Sequence, residues 1–543
     1  MSGPLPFLLS IDALSVALPA GADRPLALDG VSLALAPGEI LCVVGESGSG
    51  KSMTAGAVLG LLPDGVRRSA GRILFEGREL TALSEADLRR IRGARIGMIF
   101  QEPMTALNPL RTIGDQIGEV FRTHTRLPKA EIARKVRSLL EDVQIPQPLA
   151  AAGAYPHELS GGQRQRAMIA MALALEPSLL IADEPTTALD VTTQAQILRL
   201  IRELQQRKGT AVLFITHDFG VVAEIADRIA VMRQGEVVET GPAAEILARP
   251  QHPYTQALLA AVPALEPPPR GQTGDTLLAI DGIGKTYRGG GWLGRGRRQV
   301  QALDQVSLAL PRGGALGIVG ESGSGKSTLA RCLVGLLDPD RGSLRLDGAD
   351  LLAGSAGQRR QRARRIQMVF QDPFGSLNPR RRVGELVAQG PLTHGEHPLR
   401  ARHRAAELFE LVGLDPSALD RYPHEFSGGQ RQRIGLARAL ALSPDVLVAD
   451  EPVSALDVSV QAQVLALLDD LRARTGLSLI LITHDLRVAA QVCDRVAVMK
   501  DGRVVEEADT ATLFGAPRHP YTQALLAAVP GRRAVGRASA AVS

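Results

Sequence analysis

The chain has 543 residues, with 62 Lys and Arg against 57 Asp and Glu and a formal charge of +5 at pH 7. An excess that small over that length describes a mixed charged surface and not a nucleic-acid-binding stripe, while the length itself calls for more than one domain. The cysteines Cys42, Cys332 and Cys493 stand singly in apolar stretches, which argues against a disulfide framework or a cysteine-rich metal site and reads as small buried hydrophobes in a reducing compartment.

The first predicted element is a strand beginning at Phe7 and reaching Ile11. Export signals begin with basic residues, whereas this run has none, is followed by Asp12, and recurs as Thr276 to Ile280. No apolar run approaches the roughly 20 residues that cross a bilayer, so the chain is expected to stay in the cytosol. Next comes an apolar run, Ile40 to Val44, then Gly45, Glu46, Ser47, Gly48, Ser49, Gly50, Lys51 and Ser52, then a small-residue helical stretch. Strand, glycine loop and helix in this order form a phosphate-binding loop, or Walker A motif. Its glycines let backbone N–H groups face a phosphate, the helix N-terminus adds positive potential, Lys51 reaches the terminal phosphate oxygens and Ser52 holds Mg²⁺. Seven of the 62 basic residues are lysines, and two of those seven lie in such loops, where a compact ammonium is wanted.

Further on, Leu179 to Glu184 reads as a buried strand ending in two carboxylates, Asp183 and Glu184. A lone Asp-Glu pair at a strand end is most often a solvated turn. Downstream of a Walker A loop, Asp183 is placed to hold the Mg²⁺ shell and Glu184 to polarise an attacking water. The strand Ala211 to Thr216 then ends at His217, a single histidine that is more often structural than catalytic. Its fixed distance from the carboxylates in both copies favours a contact to the terminal phosphate.

All of this occurs twice. Gly320, Glu321, Ser322, Gly323, Ser324, Gly325, Lys326 and Ser327, followed by Thr328, repeat the loop, while Asp450, Glu451 and His484 repeat the acidic pair and the histidine. Ser160 and Ser427, Glu184 and Glu451, His217 and His484, and His252 and His519 are each 267 residues apart, so nothing was inserted or lost between them. The offset grows to 270 for Gln101 and Gln371 and to 275 for Gly45 and Gly320, which places extra residues upstream in the second copy. Some of them form a Gly/Arg-rich stretch from Arg288 to Arg298 that reads as a solvated loop. The repeat sets the expected organisation: an α/β domain over 6–263, a Pro-rich linker over 264–275, a second α/β domain over 276–532 and a frayed tail over 533–543.

Together with Leu159-Ser160-Gly161-Gly162-Gln163 and Phe426-Ser427-Gly428-Gly429-Gln430, these motifs resemble the ATP-binding-cassette ATPases over nearly the whole chain. The resemblance implies two tandem P-loop cassettes, each with a mainly parallel sheet, an antiparallel β lobe and a helical subdomain. It implies ATP and Mg²⁺ as ligands, with Gln101 and Gln371 beside the metal. It also implies two composite sites, in which the first Walker loops work with Ser427, Gly428, Gly429, Gln430 and Asp457, and the second with Ser160, Gly161, Gly162, Gln163 and Asp190. A helix N-terminus after Ser-Gly-Gly gives such a turn N–H groups for a terminal phosphate.

The segments from Gln101 to Pro109 and from Gln371 to Pro379, and the repeat His252-Pro-Tyr-Thr-Gln-Ala-Leu-Leu-Ala-Ala-Val-Pro263 from His519 to Pro530, are similar to the ATPases of oligopeptide, dipeptide, glutathione and nickel importers. That similarity implies two membrane permease subunits, an extracytoplasmic solute-binding protein and a place at the cytoplasmic face of the inner membrane, with no nucleic-acid partner. A packing helix explains the C-terminal repeat equally well. Alternatives are a sugar-importer tandem ATPase, from which the His-Pro-Tyr-Thr-Gln repeat is not expected, and a soluble ribosome-associated tandem ATPase, which carries a long charged linker. A DNA-repair ATPase needs zinc-spaced cysteines. Two departures from the resemblance stand out. Tyr287 matches the adenine-stacking aromatic in the second half, but Leu18 occupies that place in the first, which predicts weaker nucleotide binding there. No cysteine lies near either C-terminal segment, so no iron–sulfur centre is expected.

Overall fold

The computed structural model describes residues 7–187, 189–268, 274–288, 299–352, 356–454 and 456–531. The chain forms two compact units, one built mainly from residues up to Val262 and the other from Pro263–Val529. The tail expected over 533–543 and most of the Gly/Arg-rich stretch lie outside the described residues, as do residue 6 and the centre of the proposed linker.

In the first unit a six-stranded sheet runs in the order Glu236–Pro242, Arg228–Arg233, Ile40–Val44, Ala211–Thr216, Leu179–Asp183, Ile96–Ile99. All neighbours are parallel except the first pair, an antiparallel hairpin at the edge. The central strand Ile40–Val44 is buried at every residue, as a strand covered on both faces must be. Because side chains alternate, Ile40, Cys42 and Val44 join one apolar cluster while Leu41 and Val43 join another. The second cluster also takes the inner face of an antiparallel four-stranded sheet, ordered Leu26–Leu35, Leu9–Ala17, Arg67–Phe75, Arg78–Glu79.

A helical part follows the strand Ile96–Ile99 and comprises Ile113–His124, Lys129–Asp142 and Pro148–Gly153 before the helix Gly161–Ala172 returns to the sheet. Its apolar residues Ile117, Phe121, Ile132, Val136 and Leu140 recur at helical spacing and close on one another. Thr112 caps the first of these helices by accepting from Asp115 N.

The second unit repeats the plan strand for strand. Its mixed sheet runs Arg503–Asp509, Arg495–Lys500, Ala315–Val319, Ser478–Thr483, Val446–Asp450, Ile366–Val369, and its antiparallel sheet Gln299–Pro311, Thr276–Arg288, Arg341–Leu346, Ala349–Asp350. Cys42, Cys332 and Cys493 are buried and form no disulfide with one another. Among the described residues no helix is long and apolar enough to cross a membrane.

Candidate active sites

Each Walker A loop leaves the end of a fully buried strand and enters a helix, Lys51–Leu59 or Lys326–Val334. The turn works only with glycine at its first position. Gly45 has φ 155°, and a Cβ there would lie 2.2 Å from the Met232 carbonyl oxygen; Gly320 has φ 153° with the same 2.2 Å clash against Met499. Lys51 Nζ lies inside the loop, donating to Gly45 O at 2.7 Å, Glu46 O at 2.8 Å and Ser49 Oγ at 3.4 Å. Lys326 does the same to Gly320 O, Glu321 O and Ser324 Oγ at 2.7, 2.7 and 3.4 Å. Ser47 and Gly48 are exposed, Ser49 and Ser324 are buried, and Thr328 lies in the first turn of its helix.

The acidic pair converges on this loop. Ser52 Oγ donates to Asp183 Oδ1 at 3.0 Å, and Ser327 Oγ to Asp450 Oδ1 at 3.5 Å. Glu184 follows the strand end with φ 46°, and Glu451 with φ 48°, a left-handed backbone that side chains with a Cβ adopt at a cost of about 1–3 kcal/mol. The carboxylate of Glu184 accepts from Gln101 Nε2 at 3.1 Å and Thr187 Oγ1 at 2.9 Å, and its Oε1 lies 3.2 Å from His217 Nδ1. In the second unit Gln371 Nε2 donates to Glu451 Oε2 at 2.6 Å, and His484 Nδ1 lies 3.2 Å from Oε1.

This geometry separates the two acids electrically. Burial pushes Asp183 up to about 6, aided by the charge of Glu184 and opposed by the Ser52 hydrogen bond and Lys51. Burial acts on Glu184 as well, but the hydrogen bond and charge of His217, with help from Thr187 and Lys51, hold it at about 2. The second copy shifts in the same directions: burial raises Asp450, whereas in Glu451 it is outweighed by the hydrogen bond and charge of His484. Burial alone pushes His484 down, yet the hydrogen bond and charge of Glu451 hold it above its usual range. One carboxylate of each pair is thus kept ionised and engaged by amide and imidazole.

The remaining sequence-predicted residues occupy separate local structures. Ser160 caps the helix Gly161–Ala172, its Oγ accepting from Gln163 N at 3.3 Å while Gln163 Oε1 accepts from Ser160 N at 2.9 Å. Ser427 and Gln430 make the same reciprocal cap on Gly428–Leu440. Gly162 lies close to Thr193 and Gly429 close to Val460, where a Cβ would meet those side chains at 3.0 and 2.4 Å. Asp190 accepts from Thr192 Oγ1 at 2.7 Å, and Asp457 occupies the N-cap of Val458–Thr475. Tyr287 is exposed on the strand Thr276–Arg288, whereas Leu18 is half-buried against the core of the antiparallel lobe.

Sequence reasoning missed four participants. Thr187 grips the Glu184 carboxylate from three residues downstream. Arg24 donates to Gly48 O at 2.5 Å. Tyr254 and Tyr521 reach the Walker A loops from the C-terminal repeats. Only the last two carried a signal, since the tyrosines keep the 267-residue offset of the catalytic motifs.

Fold and sites define a tandem nucleoside triphosphatase of the P-loop class, with a complete loop, acid pair, glutamine and histidine in each unit. Residues 28–187 and 303–454 match the family described as ABC transporter, and residues 238–288 and 505–540 match the oligopeptide/dipeptide transporter C-terminal region. The chain is 49% identical over 526 residues to the peptidoglycan transport ATP-binding protein YejF of Agrobacterium fabrum, covering 96% of each chain. It is 46% identical over 556 residues to the glutathione import ATP-binding protein GsiA of Escherichia coli, covering 96% of this chain and 89% of that one. A solved ATP-binding cassette, a dimer in a post-hydrolysis state with ADP and phosphate, is 29% identical and covers 43% of this chain and 99% of its own, with a TM-score of 0.39. This chain belongs to the ABC transporter ATP-binding proteins, as a fused pair of ATP-hydrolysing cassettes.

Proposed function

We propose that the chain is the ATP-hydrolysing, energising subunit of an importer for a peptide or peptide-like small solute. The observation that carries the ATPase part is the twice-built cluster in which a Walker A serine, an acid pair, a glutamine and a histidine meet around Glu184 and Glu451. The cargo class rests on relatives named for peptidoglycan transport and glutathione import, and on the oligopeptide/dipeptide C-terminal match in both halves. Membrane permeases are the partners the import family implies, an extracytoplasmic binding protein completes the proposed system, and this chain sits at the cytoplasmic face of the membrane.

In this reading ATP is held by the loop N–H groups, with Lys51 and Lys326 placing a positive charge at the loop centre. Glu184 and Glu451, ionised at neutral pH, accept the proton of the attacking water, and His217 and His484 fix the orientation of those carboxylates. Ser52 with Asp183, and Ser327 with Asp450, are hard oxygen donors held together, which suits Mg²⁺. Bound there, Mg²⁺ supplies charge neutralisation at the phosphates. Gln101 and Gln371 hold the proposed base and stand beside that donor set. The signature turns, each a helix N-terminus with its serine engaged as cap, and the aspartates Asp190 and Asp457 enter as further ATP-site groups.

The test is Glu184→Gln and Glu451→Gln, singly, in the full chain assembled with its permeases. Loss of a general base is expected to lower turnover by about 10²–10⁴-fold while ATP still binds. Full turnover after either change would remove that glutamate from the chemistry, and co-purification with ribosomes or DNA in place of membrane proteins would overturn the importer reading.

A further inference from the structure

The hydrolytic machinery leaves one repeated motif unused: the His-Pro-Tyr-Thr-Gln segment that opens the helices Pro253–Ala260 and Pro520–Ala527. In the first unit its start is fixed to the edge hairpin of the mixed sheet. Gln251 N and His252 N donate to Glu239 Oε1 and Oε2 at 2.8 and 3.2 Å, and His252 Nδ1 accepts from Tyr254 N at 3.1 Å. Glu239 lies on Glu236–Pro242, whose hairpin partner Arg228–Arg233 runs directly beside the strand that carries the Walker A loop. The tyrosine therefore projects from a support tied to the same sheet as the loop.

Its hydroxyl reaches that loop. Tyr254 Oη accepts from Glu46 N at 3.3 Å and donates to Glu46 Oε2 at 3.1 Å, and the Arg233 guanidinium stands 4.9 Å from the centre of its ring. The carbonyl of the same Glu46 residue accepts from Lys51 Nζ. Glu46 is thus held at its N–H by the tyrosine and at its C=O by the Walker lysine. The second unit rebuilds the support and the bond to the loop amide: Arg518 N and His519 N donate to Glu506 at 2.7 and 3.0 Å, His519 Nδ1 accepts from Tyr521 N, Glu321 N donates to Tyr521 Oη at 3.2 Å, and Lys500 Nζ stands 4.8 Å from the ring centre, while Glu321 Oε1 accepts from Thr192 Oγ1 at 2.6 Å. Burial pushes Tyr254 up to about 12, so its hydroxyl stays protonated and able to donate throughout the working pH range.

We propose that Tyr254 and Tyr521 are positioning residues for ATP binding, each holding the second residue of a Walker A loop so that its amide and carboxylate stay in place beside the lysine. Through them the C-terminal repeat is a structural part of each nucleotide site. Glu46 meets its tyrosine through both amide and carboxylate and Glu321 through its amide, its carboxylate engaged by Thr192, so each carboxylate is kept occupied next to a loop that must receive anionic phosphates. The inference rests on the reading of these loops as ATP sites.

The experiment uses the full chain with one site silenced. In a Lys326→Ala background, the Kd and KM for ATP and the kcat are measured for Tyr254→Phe, Glu46→Gln and the double variant, with thermal unfolding of each recorded. Two hydrogen bonds at stake predict a rise of about tenfold in Kd and KM, with the loss falling on KM and not on kcat. Because the two side chains act as one unit, the double variant is expected to bind ATP no more weakly than Tyr254→Phe alone. An unchanged Kd in Tyr254→Phe, or effects of the two changes that multiply, would overturn the proposal. Tyr521→Phe in a Lys51→Ala background repeats the measurement should Tyr254→Phe fail to fold. ATP binding that survives Lys51→Ala and Lys326→Ala together would instead defeat the underlying nucleotide reading.

Discussion

Removing the imidazole of His217 gives the sharpest test of how the acid pair is held. Glu184 is half-buried, and its carboxyl sits at about 2 where an ordinary glutamate sits at 4.5, which corresponds to about 3 kcal/mol favouring the ionised form in the folded chain. The hydrogen bond and charge of His217 are the largest favourable contributions, with Thr187 and Lys51 supplying less, so His217→Ala is expected to cost about 1–2 kcal/mol. The folded carboxyl is depressed, so its stabilisation is complete above pH 4.5 and lost as pH falls toward 2, and the charge of His217 contributes while the imidazole is protonated. For a unit of this size that means a fall of about 2–8 °C in its unfolding temperature. Calorimetry of the nucleotide-free chain at pH 5.5, above the carboxyl's range and below the ordinary imidazole value, reads it by comparing wild type, His217→Ala, Glu184→Gln and the double variant. With the charge gone, deleting the imidazole is expected to cost less than half as much. An equal loss in both backgrounds would show that His217 does not stabilise the carboxylate, and the electrostatic account of the pair would fall.

Two further outcomes follow from the same geometry. Leu18→Tyr, in a chain whose second site is silenced by Lys326→Ala, is expected to tighten ATP binding by about five- to a hundredfold, since stacking on a base contributes about 1–3 kcal/mol; an unchanged Kd by equilibrium titration would contradict it. Asp183 is raised to about 6 by burial, so its unfavourable ionisation sets in as pH rises from its ordinary 3.8 through 6. Asp183→Asn is therefore expected to raise the unfolding temperature of the nucleotide-free chain at pH 8 and to lose most of that gain by pH 4, and a gain equal at both pH values would refute the burial argument.

The sites were legible in the sequence where the chemistry is local. The glycine spacing of Gly45 to Ser52 marks a phosphate cradle within eight consecutive residues, and the strand before it announces burial by an unbroken apolar run. The acid pair could be read because it ends such a strand downstream of a Walker A loop in both copies; alone, it would read as a solvated turn. The grip of Tyr254 on Glu46, by contrast, spans 208 residues, and nothing in either segment alone shows that the edge hairpin carries one to the other. Leu18 could be placed in register with Tyr287 by alignment, but its half-burial against the antiparallel lobe depends on how the turn closes, with Leu18 N bonded to Pro25 O. Thr187 was invisible because a threonine three residues past a glutamate is common in turns and becomes a partner only after the left-handed kink at Glu184.

The strand Ile40–Val44 is hydrogen-bonded on both sides and belongs to two apolar clusters at once. A segment clamped in that way should open only when the whole unit melts, making its amides among the last to trade protons with solvent. The cradle it carries is then a fixed anvil, the same before and after each turnover. Any stroke would then have to come from parts with fewer anchors than this strand.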